Sequence, residues 1–449
     1  MNRSRSIVLL SFIACHAAVA DGPAARPTPE QVAWHETEVG MFIHFAPNTY
    51  TDLEYDDLTL PLEKFNPAAL DTEQWAAAAE AMGARYIILV AKHAGGFCLW
   101  QTESTEYGVR NTPWRGGRGD VLRDLAESCR KRGLRLGVYL SPTDRYHGAG
   151  GGGKVHDPGS AEHATARRPL TQPEYDRLYR RQLRECLTIV REVLGPVQGE
   201  DAVFEVWFDG SVIVPVGDIL RELAPRAMVF QGPHATIRWV GNEDGVAPYP
   251  AWNAVSRAAA ESGIATAADG KPDGDAWLPN ECDARMRNTW FWNRNNAPTL
   301  KSVEHLMDMY YRSVGHGAVL LLNHTPDPSG VIPAADVQRG LEFREERERR
   351  FMHRLAQVEG VDTRTVELPL RGRVAHIVIE EDIREGERVR AFTLEGRSGS
   401  GWRALGSGSA IGHKRIVRVE PIELEAVRLT ITDCAGEPRL RRVSVYAAP

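Results

Sequence analysis

The run Tyr86-Ile87-Ile88-Leu89-Val90-Ala91-Lys92-His93 stays apolar, without alternation, until it meets a lysine and a histidine. A strand that is apolar at every position is covered on both faces, as in a parallel sheet flanked by helices. Similar short runs stand at Gly40 to Phe45, Arg135 to Ser141, Val203 to Asp209, Ala227 to Gln231 and Ala318 to His324. Helical patterns with recognisable ends separate them. Asp71 caps a segment that carries Trp75, Ala78, Ala79 and Met82 on one face and stops at Gly83. Asp120 opens a second, with Leu122, Leu125, Ala126 and Cys129 at helical spacing, closed by Lys131-Arg132-Gly133. Cations there complement the helix dipole, and the glycine accepts the left-handed cap. A third helix is expected from Tyr175 to Leu194, stopped by Gly195-Pro196. Strands alternating with helices in this way predict a (β/α)8-like barrel over residues 21–345.

Beyond residue 345 the pattern changes. A charged helical run, Glu342 to Arg354, leads into short alternating strands at Val374 to Ile379, Val389 to Leu394, Ile416 to Val419, Val427 to Ile431 and Val443 to Tyr446. Residues 346–449 are therefore expected to form a small C-terminal β-sandwich, with a packing or ligand-binding role.

Composition narrows the function. The 449 residues are 43% apolar and 25% charged, which excludes a disordered chain, a collagen and a coiled coil. The 54 Lys and Arg against 60 Asp and Glu leave a net charge of −6, so no nucleic-acid partner is expected. Arg3 and Arg5 precede the apolar run Ile7 to Ala14 and the small-residue pattern Ala18-Val19-Ala20, which reads as a signal peptide over residues 1–20. The expected location is periplasmic or secreted, with lipid anchoring at Cys15 as the lesser alternative. No later stretch approaches ~18 consecutive apolar residues, so no membrane span is expected. Cys98, Cys129, Cys186, Cys282 and Cys434 are widely spaced and include no Cys-x-x-Cys pair, which argues against a disulfide framework or a zinc ribbon. Cys129 and Cys186 read as buried thiols. Nothing in the sequence specifies an oligomeric state.

In a barrel of this kind chemistry gathers where strands end, so the polar residues closing the runs matter most: His44, Lys92-His93, Asp144, Asp209 and Asn323. Asp209 is the sharpest, since it terminates Val203-Phe204-Glu205-Val206-Trp207-Phe208 and is followed by Gly210. Glycoside hydrolysis needs a second carboxyl. Glu243 ends Ile237-Arg238-Trp239-Val240-Gly241-Asn242, while Glu281 and Asp283 lie in Trp277-Leu278-Pro279-Asn280-Glu281-Cys282-Asp283. The residues alone leave Glu243 and Glu281 open. His44 and His93 could ligate a metal, but no His-x-His, His-Glu-x-x-His or third ligand accompanies them, so no metal or cofactor is expected. Neutral imidazoles bonding ligand hydroxyls fit as well. Trp100, Trp290 and Trp292 add aromatic faces suited to sugar rings. The Gly148 to Gly153 cluster reads as a loop, because it lacks the Lys-Ser/Thr ending of a phosphate loop.

Taken in order, Gly40-Met41-Phe42-Ile43-His44-Phe45, Pro47-Asn48-Thr49-Tyr50-Thr51, Ala91-Lys92-His93, Gly96-Phe97-Cys98-Leu99-Trp100, Trp207-Phe208-Asp209-Gly210 and Leu320-Leu321-Leu322-Asn323 resemble the retaining α-L-fucosidases of glycoside hydrolase family 29. The resemblance covers residues 30 to 345. The segments Arg238 to Glu243 and Trp277 to Asp283 are most similar to the subgroup acting on α-1,3- or α-1,4-linked fucose. The resemblance implies a fucosylated oligosaccharide or glycoconjugate as substrate, Asp209 as nucleophile of a covalent fucosyl-enzyme, and His44, His93 and Trp100 in the fucose pocket. Glu54, Glu281 and Trp290 join them as substrate-binding candidates. Glu243 is taken as the acid/base, with Glu281 as runner-up; an aromatic, partly buried setting is expected to keep Glu243 protonated. Two departures stand out: the family's His-His-Asp-Gly-Phe is here His93-Ala94-Gly95-Gly96-Phe97, and Ala46 replaces a frequent glycine. A hydrolase for another sugar, a catalytically silent carbohydrate-binding protein and a metal-dependent barrel hydrolase are the competing readings.

Overall fold

A computed structural model describes residues 25–195, 201–399 and 401–449. The expected signal peptide, with Cys15, lies outside the described residues. Eight parallel strands follow one another: β1 Val39–Ile43, β2 Tyr86–Lys92, β3 Arg135–Leu140, β4 Glu205–Trp207, β5 Met228–Phe230, β6 Arg238–Trp239, β7 Asn280–Arg285 and β8 Val319–His324. They pair in the order β5-β4-β3-β2-β1-β8-β7-β6. A parallel bridge from Phe230 to Ile237 then joins β5 to the start of β6, and the barrel closes.

The helices outside it form where local chemistry prescribes. Those of seven residues or more are α1 Pro29–His35, α2 Thr72–Met82, α3 Val121–Arg132, α4 Gln172–Leu194, α5 Gly217–Leu223, α6 Val303–Arg312 and α7 Ala334–Arg350. Asp71 accepts the Glu73 N–H at the start of α2, Asp120 accepts the Arg123 N–H at the start of α3, and Gly83 and Gly133 close them with φ of 78° and 67°. Such caps satisfy amide groups that a helix end leaves open. The helical face of the barrel buries Met41, Ile43, Ile87 and Leu89 against Trp75, Ala79 and Leu125.

Side chains alternate along each strand, so every second residue faces the barrel interior. Phe42, Tyr86, Ile88, Val90, Tyr139, Trp207, Phe230 and Leu321 fill it. On β4 and its continuation the alternation sends Glu205, Trp207 and Asp209 inward, and on β7 it sends Glu281, Asp283 and Arg285 inward. Strand β7 was not anticipated from sequence, because Asn280-Glu281-Cys282-Asp283-Ala284-Arg285 has no apolar run to announce it. Its charges are accommodated because they point into the barrel, where neighbouring strands supply partners.

The C-terminal part begins at Arg354 and is an antiparallel sheet of six strands: β9 Arg354–Val361, β10 Thr365–Glu381, β11 Val389–Ser398, β12 Gly401–Gly408, β13 Arg415–Cys434 and β14 Leu440–Ala447. Their order is β9-β14-β10-β13-β11-β12. The two long strands β10 and β13 carry register shifts, one of them between Pro369 and Gly372; such bulges bend a sheet, and this one closes around Val374, Ile377, Phe392, Leu394, Leu429 and Val443 as a sandwich. The separate runs expected at Ile416 to Val419 and Val427 to Ile431 are two stretches of β13. The sandwich docks on the barrel through Asn253, whose side chain and backbone N–H both donate to Glu387 at 2.7 and 3.0 Å. Cys98, Cys129, Cys186 and Cys282 are buried free thiols, and Cys434 is free and half-buried. Among the described residues no helix is long and apolar enough to cross a membrane.

Candidate active site

A cavity of about 210 Å³ opens at the carboxyl end of the barrel strands and is lined by His44, Glu54, His93, Asp209, Glu243 and Trp290 among others. Each reaches it from a strand end or the loop behind it. Six further aromatics, Phe42, Tyr55, Tyr139, Trp207, Phe230 and Trp239, share the lining with Asp283 and Gln231. Phe42 and Trp207 could have been found by counting every second residue back from His44 and Asp209, and Tyr139 by counting back from Ser141 just after the end of β3.

Asp209 leaves β4 just before Gly210, whose φ of 71° and N–H bond to the Gln231 side chain, 2.7 Å, turn the chain away. The carboxyl thus stays in the cavity, where its Oδ2 accepts the Tyr139 hydroxyl at 3.0 Å. Burial raises its pKa above the ordinary range, the Tyr139 hydrogen bond opposes that, and the nearby Glu243 adds to it.

Two histidines form one wall. The His44 Nδ1–H donates to Asn323 Oδ1 at 2.7 Å, because the other end of that amide donates to the Trp290 carbonyl at 2.9 Å. Nε2 is left as an acceptor on a ring that burial keeps neutral, with help from His93. His93 stacks on Tyr139, and its pKa is pushed down to about 4 by burial. The loop carrying His93 is anchored from behind by a buried ion pair, Lys92 Nζ to Asp144 Oδ2 at 3.0 Å, with Asp144 Oδ1 3.1 Å from His147. Gly95 is required here: a Cβ would collide with the Asp56 carboxyl, which accepts the Tyr107 hydroxyl at 2.6 Å.

Glu54 and Trp290 meet across the mouth, where the Trp290 N–H donates to Glu54 Oε1 at 2.7 Å. Burial is the main reason that the Glu54 pKa is raised. Beside them, Tyr55 is 60% exposed, with the Arg145 guanidinium over its ring at 5.2 Å.

Glu243 sits in a turn set by Gly241, φ 98°, and by Asn242, whose Oδ1 accepts the Asp244 N–H at 3.1 Å. The expected aromatic lining is present, with Trp239 and Trp290 in the same cavity, but the position is more open than expected. The Glu243 side chain is 43% exposed, and Oε2 lies 3.4 Å from Arg285 Nη2. Asp283 is the carboxyl in the buried position: it is 6% exposed, accepts the Trp239 indole N–H at 2.8 Å, and burial pushes its pKa up to about 8.

Three other expected residues lie elsewhere. Trp100 is fully buried in the helical layer, and its indole N–H donates to Glu185 on α4 at 3.0 Å. The chain doubles back through an antiparallel bridge between Lys92 and Cys98, which carries Trp100 behind the barrel. Glu281 is also fully buried, one inward position below Asp283, and its oxygens accept Tyr86 and Trp207 rather than facing the cavity. Trp292 does not line the cavity. Among the described residues no three His, Cys, Asp or Glu side chains cluster to hold a metal ion.

Comparison with known proteins follows the same outline. The sequence profile of the family described as alpha-L-fucosidase matches residues 28–343. α-L-Fucosidase 1 of Arabidopsis thaliana is 30% identical over 470 residues, covering 94% of this chain and 87% of that protein. A glycoside hydrolase 29 family member from an unknown rumen bacterium superposes with a TM-score of 0.82 at 32% identity, over 96% of this chain and 78% of that one. A Ruminococcus gnavus fucosidase of that family, solved in complex with fucose, gives 0.80 at 25% identity, over 96% and 97%.

Proposed function

The chain belongs to the α-L-fucosidase family of glycoside hydrolases, and from that premise we propose that it hydrolyses terminal α-1,3- or α-1,4-linked L-fucose with retention, through a covalent intermediate on Asp209. The observation carrying this reading is that Asp209 and Glu243 line one cavity, on a strand end and on a facing loop. Asp209, ionised, attacks the anomeric carbon as the bond to the leaving oxygen breaks, and Glu243 gives that oxygen its proton. Glu243 then takes a proton from water, whose oxygen attacks the same carbon and releases Asp209.

Neutral His44 and His93 suit ring hydroxyls, and the indole and phenol faces around them suit the apolar face of the sugar. The linkage preference is supported by the segments Arg238 to Glu243 and Trp277 to Asp283 and by the exposed Tyr55 at the mouth. Export to the periplasm or medium is part of the proposal and rests on Arg3, Arg5 and the apolar run behind them.

The test is hydrolysis of an aryl α-L-fucoside and an α-1,3/1,4-fucosylated branched trisaccharide by wild type, Asp209→Ala, Glu243→Ala and Glu281→Ala, each with and without azide. Loss of release in Asp209→Ala, with azide restoring turnover of the aryl substrate in Glu243→Ala, supports both roles. Azide rescue of Glu281→Ala instead would move the acid/base. No release by wild type from either substrate would sink the fucosidase reading in favour of another sugar or a binding protein.

A further inference from the structure

Beneath the cavity lie two carboxyl groups with no catalytic task in the scheme above. Glu205 on β4 and Glu281 on β7 both have no solvent exposure. Their carboxyl groups converge on the same Trp207 indole N–H, and among the described residues no lysine, arginine or histidine pairs with either. Every other partner is a neutral donor. The Trp34 indole N–H of α1 reaches Glu205 Oε2 at 2.9 Å, and the Tyr86 hydroxyl of β2 reaches Glu281 Oε1 at 2.7 Å. The Trp207 indole N–H is shared between them, 2.5 Å from Glu205 Oε1 and 3.0 Å from Glu281 Oε2.

Two carboxylates converging on one donor in a low-dielectric interior, without a cation, strongly disfavour double ionisation; a proton kept on the pair resolves the conflict. The surroundings reinforce this. Tyr86 and Asp283 are the other titratable groups acting on Glu281, and neither brings positive charge. The backbone has also been cleared for the pair: a Cβ on Gly40 would collide with the Tyr86 ring, and one on Gly137 would stand 3.0 Å from the Glu205 Cβ.

We propose that Glu205 and Glu281 are positioning residues that share one proton and, through the divided indole hydrogen bond, lock Trp207 as the floor of the sugar pocket. Trp207 lines the cavity, stacks on Phe230 and stands one inward position below Asp209. The direction of both carboxyl pKa values, raised by burial, agrees with a retained proton. The proposal rests on the cavity being the substrate site, but the shared proton and the held indole are readable without substrate.

Four variants test it: Glu281→Gln and Glu205→Gln, which keep a hydrogen-bonding partner, and Glu281→Met and Glu205→Met, which do not. In an Asp283→Asn background, which removes the other buried acid of the site, the protein is expected to show an infrared band of a buried protonated carboxyl that is lost when Glu205 or Glu281 is changed to Gln, and a Trp207 indole N–H resonance that shifts in the Met variants. For aryl α-L-fucoside hydrolysis, the Met variants should raise KM about tenfold with kcat nearly unchanged, and the Gln variants should restore KM. Folded Met variants with an unmoved indole resonance would overturn the proposal, as would an Asp283→Asn protein without the infrared band. Both spectroscopic signatures present in a protein that releases no fucose would defeat the fucosidase reading and leave the buried pair standing.

Discussion

Tyr139 donates its hydroxyl to Asp209 across 3.0 Å, from the strand next to the one that ends in Asp209. Burial raises the Asp209 pKa, and this hydrogen bond works against the rise by favouring the carboxylate. The nucleophile proposed for Asp209 must be ionised, so the acid limb of the rate profile is expected to depend on the bond. Tyr139→Phe is expected to move the acid limb of kcat/KM upward by roughly one pH unit, since a hydrogen bond to a charged group contributes about 1.5–3 kcal/mol. Activity well above that limb should change little. A limb that moves downward, measured on an aryl fucoside, would show that the hydroxyl does not serve the carboxylate.

Asp283 predicts a pH-dependent stability. Its folded pKa of about 8 lies above that of the unfolded chain, so its contribution is fully present below pH ~4 and is lost as pH rises toward 8. Asp283→Asn removes the ionisation. Its melting temperature relative to wild type should therefore be higher at pH 8 than at pH 5. A difference that is constant across that range would refute the buried-acid account.

Tyr55 is the exposed aromatic at the mouth, steadied by Arg145. If its ring receives the sugar that carries the fucose, Tyr55→Ala should lower kcat/KM on a branched trisaccharide by roughly three- to tenfold. α-L-Fucosyl fluoride, which has no leaving-group ring, should be hydrolysed as by wild type. Equal losses on both substrates would place the residue in the fucose pocket instead.

Lys92 and Asp144 form an ion pair with no exposure on either side chain, directly behind His93. The lysine, with His147, holds the Asp144 carboxyl far below the usual range despite its burial. The stability it contributes is present above pH ~4 and lost as pH falls further. Lys92→Met strands a buried carboxylate and should cost about 3–5 kcal/mol at pH 7, read from urea unfolding. A loss below 1 kcal/mol would mean that Asp144 finds another partner or takes up a proton.

The alternation of strands and helices, the helix ends at Asp71, Gly83, Asp120 and Gly133, and the position of Asp209 were all legible in the chain. These are local matters: a cap needs its side chain two or three residues away, and a continuous apolar run reports its own burial on both faces. His44, Glu54, His93, Glu243 and Trp290 also reach the cavity, since each lies in or just beyond a segment that ends at the barrel mouth.

Three relationships needed the tertiary structure. Trp100 leaves the pocket because the chain folds back on β2 between Lys92 and Cys98, a reversal with no signature in the residues themselves. Glu243 meets Arg285 at the rim, whereas Asp283 takes the buried place, because their chain segments converge only when the barrel closes. Glu281 lies only two residues from Asp283, yet it serves the barrel interior while Asp283 lines the cavity. By itself the sequence determined the barrel and the strand end that carries Asp209, since those follow from short-range pattern. The depth at which each remaining carboxyl stands, and so its charge and its task, was decided by register between strands far apart in the chain, where a step of two residues separates solvent-linked pocket from dry interior.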